Sequence, residues 1–127
     1  MLGIEILEDL CALCEGLRAR WDARVSRALP EGKRATRVRF RNGDACVMDW
    51  SHGDVVFVNS TCFDEPLMGT LAARASRLRP GAFVLTTTFP LPSDEFELLE
   101  ESKMAQSWGG ATMYIQRKKT PEPTATE

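Results

Sequence analysis

Three polar residues close short apolar, strand-like runs: Glu5 in Gly3-Ile4-Glu5, Asp44 in Asn42-Gly43-Asp44, and Asn59 in Phe57-Val58-Asn59-Ser60. Ligands of open α/β sheets bind beyond the carboxyl ends of the strands, so two carboxylates and an amide at such ends could grip a polar ligand. Taken singly, each is equally a surface group at a strand end. Other reactive residue types offer less. Cys11 and Cys14 share a helical face, but no second cysteine pair and no histidine follows at zinc-ligand spacing, so no metal site is expected. The single histidine, His52, sits in Trp50-Ser51-His52-Gly53-Asp54 with no partner at a recognisable triad spacing. It is assigned no catalytic role.

Elements must hold these residues. Met1 to Ile6 reads as a short strand, and Leu7, Leu10, Cys11, Cys14, Leu17, Trp21, Val25 and Ala28 follow the spacing of an amphipathic helix that Pro30 ends. Thr36 to Arg41 alternates Val38 and Phe40 with Arg37, Arg39 and Arg41, the pattern of a strand with one buried face. Asp54 to Asn59 is apolar on both faces, as in a strand covered by helices on both sides. Asp64 is suited to cap a second helix carrying Leu67, Met68, Leu71, Ala75 and Leu78, which Arg79-Pro80-Gly81 stops. Ala82 to Thr88 is the next strand. Pro90 and Pro92 then break the chain before an acidic segment, Asp94 to Glu101. Two last strands, from about Glu101 to Trp108 and from Ala111 to Arg117, are expected to join through Gly109-Gly110. The order predicts an α/β fold: a three-layer, Rossmann-like sheet of parallel strands with a terminal antiparallel hairpin. Residues 1–119 form the domain, and Thr120 to Glu127 is a polar tail expected to be disordered.

With 127 residues, 43% hydrophobic and 27% charged, the chain is expected to fold as one domain around an ordinary core. Its longest apolar runs fall far short of a bilayer span, so no membrane partner is expected. Glu5, Glu8 and Asp9 arrive too early for a signal peptide, which points to the cytosol or nucleus and to free thiols. Net charge is −2, yet residues 18–41 hold nine Arg or Lys against Asp22 and Glu31. That imbalance suits non-specific contact with nucleic acid; the competing reading is a solvated helix face beside an exposed strand.

The run Val55-Val56-Phe57-Val58-Asn59-Ser60-Thr61-Cys62-Phe63 resembles the class I S-adenosylmethionine-dependent methyltransferases, and among them the histone-lysine methyltransferases called disruptor of telomeric silencing. Leu78-Arg79-Pro80-Gly81-Ala82, Thr86-Thr87-Thr88-Phe89-Pro90 and Ser107-Trp108-Gly109 continue the likeness in order, over about residues 3–117. The resemblance implies a nuclear enzyme that moves a methyl group from S-adenosylmethionine to a lysine amine of a histone or nucleosome. By position, Glu5 would accept from the ribose hydroxyls, Asp44 from the adenine amine, and Asn59 would set its amide beside the methyl group. Phe63, Trp108 and Tyr114 would line the lysine channel, with core packing the competing reading for each.

One departure is large. Class I methyltransferases open with a strand and a glycine-rich loop, and the sequence contains no Gly-x-Gly of any kind. Met1 to Glu5 lies where the family's second strand lies, which implies an amino-terminally truncated, carboxyl-terminal portion and a gap in mid-sheet. The neighbours of that gap would pair directly, or another chain would fill it, or the natural protein is longer. The alternative function is a non-catalytic remnant of the fold that serves as an interaction module.

Overall fold

The computed structural model describes residues 1–123 and divides into two compact units, Met1–Met48 and Asp49 to the carboxyl terminus. In the first, β1 (Leu2–Glu5) runs parallel to β2 (Arg39–Asn42), with Gly3 beside Phe40 and Glu5 beside Asn42. A side chain at position 3 is excluded by the Phe40 ring, since a Cβ on Gly3 would meet it at 2.6 Å. Between these strands lies α1 (Glu8–Arg20), continued by a π-helical turn at Trp21–Val25 and the short α2 (Ser26–Ala28). Pro30 ends the helical stretch as expected. The apolar stripe of α1 is less covered than its spacing implies: Cys11 is buried, but Leu10, Leu13 and Leu17 are exposed, because nothing among the described residues covers that side.

The second unit holds β3 (Val55–Val58), α3 (Glu65–Ala75), β4 (Phe83–Thr87), β5 (Phe96–Gln106) and β6 (Gly109–Lys118), with strand order β3-β4-β6-β5. The first pair is parallel and the others antiparallel. Asp64 caps α3 by accepting from the Leu67 N–H at 2.9 Å. Met68, Leu71, Ala72 and Ala75 bury one face of that helix, and Lys118 on β6 ties its end by donating to the Ser76 carbonyl and to Glu95.

Two expectations are corrected. The hairpin strand β5 starts at Phe96, about five residues before the expected point, and carries its acidic residues on an outer strand that water can reach. The strands form two sheets, β1–β2 in the first unit and β3-β4-β6-β5 in the second. Finally, β3 is not covered on both sides. Pleating and register put Val55, Phe57, Phe83, Leu85, Met113 and Ile115 on one face, where Val55 is 64% and Phe57 59% exposed, whereas Val84 on the other is fully buried. The unit keeps the expected α/β architecture with its terminal antiparallel hairpin, and α3 covers one face of its sheet. Residues 120–123 carry no regular structure, and the rest of the expected tail, 124–127, lies outside the described residues.

Candidate active site

In the first unit, Glu5 and Asp44 come together at the carboxyl end of the β1–β2 pair, where the Gly43 N–H donates to the Glu5 carbonyl at 2.9 Å. Asn42, which the sequence did not single out, clamps this corner by donating its amide to the carbonyls of Glu5 and Ile6 at 3.0 and 3.1 Å. Both carboxylates do local work. Glu5 Oε1 accepts from the Leu7 N–H and Asp44 Oδ1 from the Cys46 N–H, at 2.9 and 2.8 Å. A carboxylate has about four acceptor positions, so each retains capacity for a ligand.

In the second unit, the ends of the parallel strands β3 and β4 meet in a cluster of hydroxyls. Ser60 and Thr87 are buried and doubly linked: the Ser60 hydroxyl donates to the Thr87 carbonyl at 2.8 Å and accepts from the Thr87 N–H at 3.2 Å. The Thr87 hydroxyl accepts from the Ser60 N–H at 2.9 Å and from the Thr61 hydroxyl at 3.0 Å. Its two lone pairs are then filled, so its proton goes to Asn59 Oδ1 at 3.1 Å. The Asn59 amide is thereby held through its oxygen, on a residue that is exposed.

Thr88 extends the cluster. Its hydroxyl donates to Thr61 at 3.1 Å and its N–H to the Thr112 carbonyl at 2.7 Å, and it does so at φ 72°, a left-handed conformation that a β-branched residue seldom takes. Such strain persists only where surrounding bonds enforce it and concentrates at ligand-binding positions. Thr87 and Thr88 lie in the threonine run that the sequence already displays, but their roles, Thr87 bonded to Asn59 and Thr88 to Thr61 and Thr112, exist only in three dimensions.

The aromatic residues expected beside Asn59 are distributed unevenly. Phe63 is half-buried and turns the chain after β3 through its N–H to the Ser60 carbonyl at 3.0 Å. Trp108 stands exposed at the tip of the β5–β6 hairpin, which projects past the end of β4. Tyr114 is opposite Thr86, so alternation sends it to the face away from Asn59 and Thr87; Met113, opposite Thr87, takes the position expected of it. The one-residue shift in the hairpin reverses the face. Among the described residues no group of three or more metal-ligating side chains exists, and His52 lies exposed in its turn.

No family model and no curated protein matches the sequence. Solved structures do match. The chain superposes on yhhF from Escherichia coli, provisionally named a methyltransferase, with TM-score 0.66 and 16% identity over 94% of this chain and 63% of that one. It superposes on HI0767 from Haemophilus influenzae, provisionally named a methylase, with TM-score 0.66 and 11% identity over 94% and 72% of the two chains. For TrmN from Thermus thermophilus the TM-score is 0.64 and the identity 18%, over 92% of this chain and 36% of that one. The fold is a methyltransferase fold. This chain spans about two-thirds of the length of the first and about a third of the third, so the fold is partial.

Proposed function

We propose that this chain is the carboxyl-terminal portion of an S-adenosylmethionine-dependent methyltransferase that acts on a lysine amine, with a histone in the nucleosome as its substrate. The observation that carries the reading is the placement of Asn59: an exposed amide whose oxygen is held by Thr87 at the carboxyl end of a parallel strand. When bound, S-adenosylmethionine supplies an electrophilic methyl group on a sulfonium. Glu5 and Asp44 suit its nucleoside end, since carboxylates at strand ends accept from ribose hydroxyls and an adenine amine. Its methionine end has no glycine loop to receive it in this sequence.

Asn59 orients and does not react. Methyl transfer to an amine is an in-line displacement, so rate comes mostly from alignment. The amine must also be neutral: a free lysine has a pKa near ~10.4, and an apolar channel lined by Phe63 and Trp108 would favour the uncharged form. Hydrogen bonds to charged groups contribute roughly 1.5–3 kcal/mol each. Loss of two with the glycine loop weakens cofactor binding by roughly two to four powers of ten.

Calorimetric titration with S-adenosylmethionine should therefore give millimolar binding or none for this chain. A longer protein that carries the loop should bind tightly and label nucleosomes with radioactive methyl groups, and Asn59→Ala should cut that labelling by a factor of ten or more. Failure of the longer protein to label nucleosomes would remove the substrate assignment. Binding of the cofactor with no dependence on Asn59 would remove the site.

A further inference from the structure

Strand β2 and its approach carry Arg37, Arg39 and Arg41 at alternate positions, and all three are exposed. Arg39 lies beside Leu2 and Arg41 beside Ile4, on the face of the β1–β2 pair opposite the one where the Phe40 ring covers Gly3. Alternate residues on a parallel strand are about 6.6 Å apart, which sets the spacing of Arg39 and Arg41, and Arg37 stands two residues before them in the approach to the strand. The backbone beneath them is fixed. The Arg39 N–H donates to the Met1 carbonyl at 2.9 Å, and the Trp21 indole N–H to the Thr36 carbonyl at 3.1 Å.

None of the three guanidinium groups has an acidic partner among the described residues. By contrast, Arg18 in the same unit is held by both Glu15 and Asp22 at 2.8 Å. Because the chain as a whole carries −2, a polyanion gains nothing from its average charge and must be drawn to this local excess.

We propose that the Arg37-Arg39-Arg41 row is a docking surface for the phosphate backbone of duplex DNA. Phosphates of one strand of B-form DNA rise about 3.4 Å each along the axis while winding around it, so their through-space separation exceeds that rise and a row of guanidinium groups at ~6.6 Å intervals can meet successive ones. The strand positions on this face are Leu2 and Ile4 beside Arg39 and Arg41, none of them aromatic. Binding of unpaired bases relies on aromatic stacking, so this surface suits paired DNA, read by charge and without sequence preference. The inference is independent of methyl transfer.

Fluorescence anisotropy with a labelled duplex, over a range of salt, tests it. Each phosphate contact contributes about 0.9 to the slope of log affinity against log salt. Replacing all three residues (Arg37→Gln, Arg39→Gln and Arg41→Gln) should lower that slope by about 2.7. Equivalently, between about 50 and 200 mM salt the natural chain should lose ~40-fold more affinity than the substituted one. Changing the same three to Lys should keep most of the slope, which separates charge from folding, and Lys103→Gln with Lys119→Gln should leave it unchanged. An unaltered slope in the Gln variant, loss of binding in the Lys variant, or tighter binding of single-stranded DNA or polyglutamate would overturn the proposal.

Discussion

Replacing Thr87 with Val keeps the shape of a buried side chain and removes one hydroxyl. That hydroxyl serves three groups: the Ser60 N–H, the Thr61 hydroxyl and Asn59 Oδ1. Ser60 is fully buried, so its N–H loses a partner where water does not reach it, at a cost of about 1–3 kcal/mol. The lost bond to exposed Asn59 adds about 0.5–1 kcal/mol, and the new methyl returns up to about 0.8 kcal/mol. The net destabilisation is about 1–3 kcal/mol, because the two bonds between the Ser60 hydroxyl and the Thr87 backbone survive. Urea unfolding should show a lower midpoint with an unchanged slope. Nitrogen-15 relaxation of the Asn59 side-chain NH2 should change from that of an ordered group to that of a freely rotating one, while Thr87→Ser preserves the order. A Thr87→Val protein with native stability and an ordered Asn59 amide would refute the hydroxyl argument.

Gly3→Ala should destabilise the first unit by about 1–3 kcal/mol, read by thermal unfolding, because the Phe40 ring must move from a contact of 2.6 Å. Asp49 should titrate below the ordinary aspartate range, since the Ser51 hydroxyl and N–H stabilise its charged form and His52 and Arg77 add to this. Its folded pKa is depressed, so its contribution to stability is present above the unfolded value and lost as pH falls through the folded one. Carboxyl NMR should follow this, and Ser51→Ala should move the midpoint up. Burial, with the nearby Cys14, Glu15 and Glu5 adding to it, pushes the Cys11 thiol up. Alkylation followed by mass spectrometry should label exposed Cys62 first and Cys11 last.

What the sequence disclosed were features that local chemistry decides. Asp64 announces α3 because a carboxylate three residues before Leu67 fits the free N–H of a first helical turn. Val38 and Phe40 announce β2 by alternation, and the hairpin turns at Gly109 with φ 144°, a conformation that favours glycine. What stayed hidden depended on partners remote in sequence. The acids from Glu97 to Glu101 mask β5, whose strand character comes from pairing with β6 and from the Glu97–Arg117 ion pair. A hydrophobic run such as Val55 to Val58 says that a strand is greasy on both sides, not that both sides find cover. The candidate site divided likewise: Asn59 was marked by its place at a strand end, whereas Thr87, which holds its amide oxygen, lies twenty-eight positions away.

The uncovered side of the second sheet has a consequence for anyone handling the protein. Val55 and Phe57 present an adhesive patch on β3, whose outer rim has no strand paired with it among the described residues. Such rims recruit other chains, and greasy patches collect them. At rising concentration the isolated chain should therefore self-associate and light up hydrophobic dyes, and a single lysine in place of Phe57 should quiet both.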